Sequence, residues 1–240
     1  MKFVSYFFAA LVAVLVAAPA NAAGLADWAA IVVAGDWHSH SGAPSEVFDN
    51  ARRDLAKAFA QIGFNPANMV QFSVDQPDAL HTSGGEIGNA LWDLTNRAPA
   101  GCLIYFTSHG SPDGIVADEG QISPTKMATM VGNACGSKPA VIVMSACFSG
   151  IFVPALAAPT RMVFTAARPD RTSFGCGESD HYTFFDTCFL QSLPGSADFP
   201  GLAQQVTACV AARERQEKVD YPSEPQLFVG PQVAVSLRWR

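Results

Sequence analysis

The chain has 240 residues, of which 49% are hydrophobic, and a formal net charge of −6. This charge and the lack of a basic cluster argue against a nucleic-acid-binding protein, because such proteins concentrate Lys and Arg to displace phosphate counterions. The length suffices for one substantial hydrophobic core and leaves little for a second domain.

The first 22 residues have the three-part layout of a secretory signal peptide. Lys2 is followed by an apolar run at 7–18 and by an Ala-Asn-Ala ending at 20–22. The apolar run is shorter than the roughly 20 residues that span a bilayer. We therefore expect an exported protein, periplasmic or secreted and without a stable membrane anchor, whose single domain occupies residues 23–240.

Hydrophobic patterns predict strands and helices that alternate along the chain. The predicted strands cover residues 31–33, 70–74, 103–106, 141–144, 161–166 and 227–229. The predicted helices cover residues 46–62, 86–96, 124–133, 181–191 and 200–217. This alternation is typical of an α/β fold, with a mostly parallel central sheet of about six strands and helices on both faces.

Two of the predicted strands end in residues that suit nucleophilic catalysis. The strand at 103–106 is followed by His109 and Gly110, and the strand at 141–144 is followed by Cys147. If the strands are adjacent and parallel, they deliver an imidazole and a thiol to one edge of the sheet. A free cysteine is mostly protonated at neutral pH, so a neighbouring base such as His109 would generate the attacking thiolate. The backbone N–H groups of Gly110 and Cys147 are natural donors to an oxyanion.

Six cysteines in an exported chain favour disulfide bonds. One pair precedes two strands that are predicted to be neighbours, and another pair lies on consecutive helices. With Cys147 as nucleophile, the predicted bridges are Cys102–Cys135 and Cys188–Cys209, which leaves Cys176 free.

The sequence resembles the legumain-type cysteine peptidases, relatives of caspases and of the catalytic subunit of the GPI transamidase. The resemblance rests on Ser-His-Gly-Ser at 108–111 and Ala-Cys-Phe-Ser-Gly at 146–150, each after an apolar strand, and it covers roughly residues 30 to 190. Ile-Val-Val-Ala-Gly at 31–35 and Thr-Ser-Phe-Gly-Cys at 172–176 add to it. It implies a caspase-like three-layer sandwich, a dyad of His109 and Cys147, an oxyanion hole at Gly110, peptide or protein substrates, and neither metal nor cofactor.

The resemblance also assigns roles to residues around the dyad. Asp36 occupies the place of a polar residue that orients the catalytic histidine. Ser173 and Phe174 would line the substrate cleft, and Ser145 stands at a substrate-binding position where legumains have an acidic residue. Legumains also have an Arg-His pair after the first strand, but residues 37–42 contain no arginine. Their preference for Asn or Asp therefore does not carry over to this chain.

Three other interpretations are compatible with the sequence. The side chains of Asp36, His38 and His40 form an Asp-x-His-x-His pattern that could bind zinc or copper, as in a metal-binding exported protein or a metallohydrolase. An α/β-hydrolase with a cysteine nucleophile would place its histidine later in the chain, at His181. A transamidase, peptide ligase or non-catalytic binding module could use the same fold as the peptidase.

Overall fold

The computed structural model describes residues 24–233 and 237–239, so the predicted signal peptide lies outside the described residues. The strands are β1 (Trp28–Ala34), β2 (Met69–Ser73), β3 (Leu80–His81), β4 (Gly101–Thr107), β5 (Gly110–Ser111), β6 (Gly114–Ala117), β7 (Gly120–Ile122), β8 (Ala140–Ser145), β9 (Arg161–Thr165) and β10 (Gln226–Val229). The helices are α1 (Val47–Gln61), α2 (Gly84–Arg97), α3 (Pro124–Cys135), α4 (Phe152–Leu156), α5 (Phe184–Ser192) and α6 (Phe199–Gln216). In this described part of the chain, no helix is long and apolar enough to span a membrane.

A seven-stranded sheet forms the centre of the protein, in the order β10-β9-β8-β4-β1-β2-β3. Neighbouring strands are parallel except β9 and β10, which are antiparallel. The predicted α/β class and the mostly parallel sheet are therefore confirmed. The strand beyond the expected six is β3, whose two exposed residues are too few to produce a hydrophobic pattern.

Helices cover both faces of the sheet, which gives three layers. Side chains alternate along a strand. On β4, Leu103 and Tyr105 therefore face the core that contains residues of α1, α5 and α6. Ile104 and Phe106 face the opposite core, which contains residues of α2, α3 and α4. Burial on both faces explains why the central strands read as continuous apolar runs rather than as alternating patterns.

A second, three-stranded antiparallel sheet is made by β5, β6 and β7. Sequence patterns did not predict it, because its strands have only two to four residues. Gly110 pairs with Ile115 in this small sheet, directly after His109. The small sheet therefore holds the backbone that follows the candidate catalytic histidine.

Disulfide bonds join Cys102 to Cys135 and Cys188 to Cys209, which confirms the predicted pairing. The first links β4 to the end of α3, and the second links α5 to α6. Cys147 and Cys176 are free.

Replacing both Cys188 and Cys209 with alanine should lower the free energy of unfolding by about 3 kcal/mol, because the bridge closes a loop of 21 residues in the unfolded chain. Guanidinium unfolding without reductant measures the loss. The matched control is Cys176→Ala, which removes a thiol but no bridge and should cost much less. Equal midpoints for the double variant and the unmodified protein would contradict the prediction.

Candidate active site

The register of β4 and β8 brings the two candidate catalytic residues to the same edge of the sheet. The strands are parallel neighbours, and Thr107 lies opposite Ser145 at their carboxyl ends. Beyond the paired segment, the Ser108 N–H donates to the Ser145 carbonyl at 3.1 Å. His109 and Cys147 follow two residues after Thr107 and Ser145, so they leave the sheet at equal height, as the sequence predicted.

The imidazole of His109 is held by one hydrogen bond and one aromatic contact. Its Nε2 lies 3.1 Å from the carbonyl oxygen of His38, and its ring meets the Phe48 ring edge to face at 5.0 Å. Because a carbonyl only accepts hydrogen bonds, Nε2 carries the hydrogen in the neutral ring. Nδ1 is therefore the basic nitrogen.

Asp36 is connected to His109 through the backbone of His38. Its Oδ1 accepts hydrogen bonds from the N–H groups of Trp37 and His38, at 2.7 and 3.0 Å, and lies 2.8 Å from His38 Nδ1. Within the described residues, no hydrogen bond joins this carboxylate to His109. Asp36 fixes the turn that presents the His38 carbonyl to the imidazole, so it would orient His109 through the backbone. Its catalytic role stays a prediction.

The thiol of Cys147 is half-buried against Ser173. The Ser173 N–H donates to Sγ at 3.2 Å, and the Ser173 hydroxyl lies 3.6 Å from it. Sγ also lies 3.6 Å from the Ser173 carbonyl oxygen, so the backbone of Ser173 fixes the position of the sulfur. Within the described residues no hydrogen bond joins Cys147 to His109, and such catalytic bonds often tighten only when substrate is bound.

The backbone around the nucleophile is tightly packed. A Cβ added to Gly110 would lie 2.2 Å from the Cys147 carbonyl oxygen, so only glycine fits there. Phe148, directly after Cys147, has a left-handed φ of 56°, which is uncommon for a bulky residue and concentrates at functional sites. The backbone of Gly110 therefore packs directly against the backbone of Cys147.

The three predicted substrate-binding residues lie in different places. Ser173 is at the thiol, and Phe174 is half-buried beside it, with its ring 6.2 Å from that of Phe184. Ser145, by contrast, is only 1% exposed. Its hydroxyl lies 3.4 Å from that of Thr183, under the site. The prediction that Ser145 contacts substrate is therefore wrong.

The second free thiol, Cys176, differs from the first. Its side chain packs against Val47 and Phe48. Burial, with smaller contributions from Cys147 and Asp180, raises the pKa of Cys176 to about 11. At neutral pH this thiol is therefore protonated and a poor nucleophile.

Comparison with known proteins gives one family and one fold. A model of the Peptidase C13 family, the legumain family, matches residues 88–218, more than half of the chain. The chain belongs to the Peptidase C13 family. Caspase-1 from Spodoptera frugiperda superposes with a TM-score of 0.63 at 14% identity, over 88% of this chain and 89% of that chain, which shows a shared fold. No curated protein matches the sequence.

This C13 chain is therefore a cysteine peptidase with a caspase-like fold, and its substrates are peptides or proteins. The matched segment contains His109, Gly110, Cys147 and Ser173, whereas Asp36 precedes it. The resemblance to legumain-type peptidases is confirmed.

The structure and the family argue against two of the other interpretations. Asp36 and His38 bond to each other, and no group of three His, Cys, Asp or Glu side chains in the described part of the chain is arranged to hold a metal ion. His181 is exposed and bonds to Asn50 at 3.2 Å. The caspase-like fold and the C13 match leave no reason to assign it as the histidine of an α/β-hydrolase.

Several hollows open on the surface of this peptidase. One of about 1100 Å³ lies between α2, α3 and the β6–β7 hairpin, and none of the candidate site residues lines it. Another of about 380 Å³ adjoins the turn at Asp36 and is lined by six carboxylic side chains: Asp36, Glu46, Asp49, Asp75, Glu178 and Asp180.

Proposed function

We propose that the protein is an exported cysteine endopeptidase in which Cys147 is the nucleophile and His109 the general acid and base. The observation that carries this assignment is the arrangement of two adjacent parallel strands, which end at equal height in an imidazole and a thiol. Each side chain has its own support: the His38 carbonyl orients the imidazole, and the Ser173 N–H points at the sulfur.

In the first half of the reaction, the Cys147 thiol gives its proton to Nδ1 of His109, and Sγ attacks the carbonyl carbon of the scissile bond. The N–H groups of Gly110 and Cys147 hold the oxyanion that forms. When the intermediate collapses, the C–N bond breaks and Nδ1 returns the proton to the leaving amine. The product is a thioester on Cys147.

In the second half, a water molecule gives a proton to Nδ1 and attacks the thioester carbon. The C–S bond breaks, the new carboxylic acid leaves, and the proton returns to sulfur. An amine that replaced water at this step would give transfer instead of hydrolysis. The product of hydrolysis and the product of transfer differ in mass, so one assay by mass spectrometry distinguishes a peptidase from a transamidase.

Export is supported by two independent features. The first 22 residues have the signal-peptide layout. The chain also carries two disulfide bonds, which form and persist in oxidising compartments. Amino-terminal sequencing of protein recovered from the periplasm or the medium tests this, with a start at about Ala23 as the expected result.

The dyad is tested by the rate at which an uncharged alkylating agent labels Cys147 at neutral pH, after mild reduction that spares the disulfide bonds. We expect fast labelling that slows at least about tenfold in His109→Ala, because a free cysteine is mostly protonated at this pH. Cys176 should stay unlabelled, since its pKa is raised to about 11.

The matched control is His181→Ala, which removes an exposed imidazole that bonds to Asn50 and should leave the rate unchanged. Peptide mapping by mass spectrometry identifies the labelled residue. Slow labelling of Cys147 that is equal in the unmodified protein and in His109→Ala would contradict the dyad.

A further inference from the structure

A buried carboxylate lies directly beneath the proposed dyad. Asp186, in the first turn of α5, is completely shielded from solvent. Its Oδ1 accepts a hydrogen bond from the Tyr105 hydroxyl at 2.7 Å, and its Oδ2 accepts one from the Thr107 hydroxyl at 2.6 Å. The hydroxyls of Ser145 and Thr183 complete the cluster, 3.4 Å from each other.

The position of this cluster follows from strand periodicity. Side chains two residues apart face the same side of a sheet. Tyr105, Thr107 and His109 are spaced two residues apart along β4 and just beyond its end. Ser145 and Cys147 have the same spacing at the end of β8. Asp186 therefore contacts the residue two before His109 and lies beside the residue two before Cys147, and it anchors both to α5.

Such a carboxylate is costly to bury. Burial raises the pKa of Asp186 above its ordinary value, and hydrogen bonds from Thr107, Tyr105 and Ser145 offset only part of this shift. No ion pair of the described residues includes Asp186. Its compensation comes instead from hydroxyl donors and from the positive end of α5. An apolar side chain would fill the space without this desolvation cost, so the carboxylate calls for an explanation beyond packing.

We propose that Asp186 is a positioning residue for catalysis, which holds the ends of β4 and β8 so that His109 and Cys147 meet in reactive geometry. The inference rests on the proposed dyad and adds a residue that does not touch substrate. It acts through the hydroxyls of Thr107 and Ser145, and small displacements there carry directly to the two reacting side chains.

The test compares variants that alter single hydrogen bonds in the cluster. Asp186→Asn keeps the shape but replaces one acceptor oxygen with a donor. Thr107→Val keeps the shape but removes a hydroxyl, whereas Thr107→Ser restores it. The matched control is Asp198→Ala, which removes the cap of α6 and its 2.7 Å bond to the Gly201 N–H, and so destabilises the protein away from this cluster.

The readout is the labelling rate of Cys147 in the full mature protein. It is measured at a temperature well below the thermal unfolding midpoint of each variant. Asp186→Asn and Thr107→Val should label about tenfold more slowly, the effect of leaving one buried polar group without its hydrogen bond. Thr107→Ser should recover most of the rate, and Asp198→Ala should label like the unmodified protein. Equal rates for Thr107→Val and Thr107→Ser would overturn the proposal, and this comparison stands even if Asp186→Asn does not fold.

His109→Ala in the same assay distinguishes failure of the dyad from failure of the positioning role. If His109→Ala labels slowly and Thr107→Val labels normally, the dyad stands and the role of Asp186 is wrong. If His109→Ala labels as fast as the unmodified protein, the dyad itself is wrong, and the positioning role fails with it.

Discussion

Replacing Cys147 with alanine should reduce peptide hydrolysis by at least about four orders of magnitude, because the thioester route disappears with the sulfur. The assay is cleavage of a mixed-sequence peptide library by the mature protein under mild reduction, with products identified by mass spectrometry. The Ser173 N–H that points at Sγ loses its partner, but the fold should keep its stability, since the side chain is half-buried and small.

Cys176→Ala is the matched control for this prediction. It removes the other free thiol, near the same cleft, whose burial raises its pKa to about 11 and leaves it protonated at neutral pH. Hydrolysis by this variant should remain close to that of the unmodified protein. Activity that survived in Cys147→Ala but disappeared in Cys176→Ala would mean that the nucleophile has been assigned to the wrong thiol.

The central sheet and the juxtaposition of the two strand ends could be predicted from sequence because their cause is local. Strands buried on both faces show continuous apolar runs, and parallel neighbours end at the same edge. The predicted positions of His109 and Cys147 relative to the sheet are correct. The small sheet after His109 was not predicted, since strands of two to four residues carry too few side chains for a pattern.

The surroundings of Asp36 and Ser145 were not predicted, because the family resemblance assigns a residue its place in the chain but not the atoms that its side chain contacts. Asp36 bonds to the backbone of the next two residues rather than to His109. Ser145 is the last residue of β8 and points into the core beside Thr183. A strand register fixes which face a residue occupies, but not which neighbour its polar atom meets.

Asp186 was missed although the sequence carries a signal for it. Thr183 and Asp186 are three residues apart at the start of α5, and the Thr183 hydroxyl accepts from the Asp186 N–H at 3.0 Å, as in a helix cap. An acidic residue among Phe184, Phe185 and Phe189 is also out of place on an apolar helix. Such a carboxylate needs donors from elsewhere, and the end of the sheet supplies them.

The second large effect is expected at Gly110, where the site depends on the absence of a side chain. An alanine Cβ would lie 2.2 Å from the carbonyl oxygen of Cys147 and 3.0 Å from the Ala146 Cβ. Backbone atoms cannot move aside as a flexible side chain can, so β5 or the nucleophile turn must shift. Either shift misplaces an oxyanion donor, and loss of one such donor costs roughly 100- to 1000-fold in kcat. Gly110→Ala should therefore hydrolyse peptides at least about 100-fold more slowly.

Gly120→Ala is the matched control, because Gly120 lies in the same small sheet and its added Cβ would meet only the Ala117 carbonyl, at an ordinary 3.8 Å. It should keep normal activity and a normal unfolding midpoint. Gly110→Ala should also lose about 1 to 3 kcal/mol of stability from overpacking, so activity must be compared well below its midpoint. Full activity in Gly110→Ala would show that the backbone at this position does not shape the transition state, and the oxyanion hole would have to be assigned to other donors.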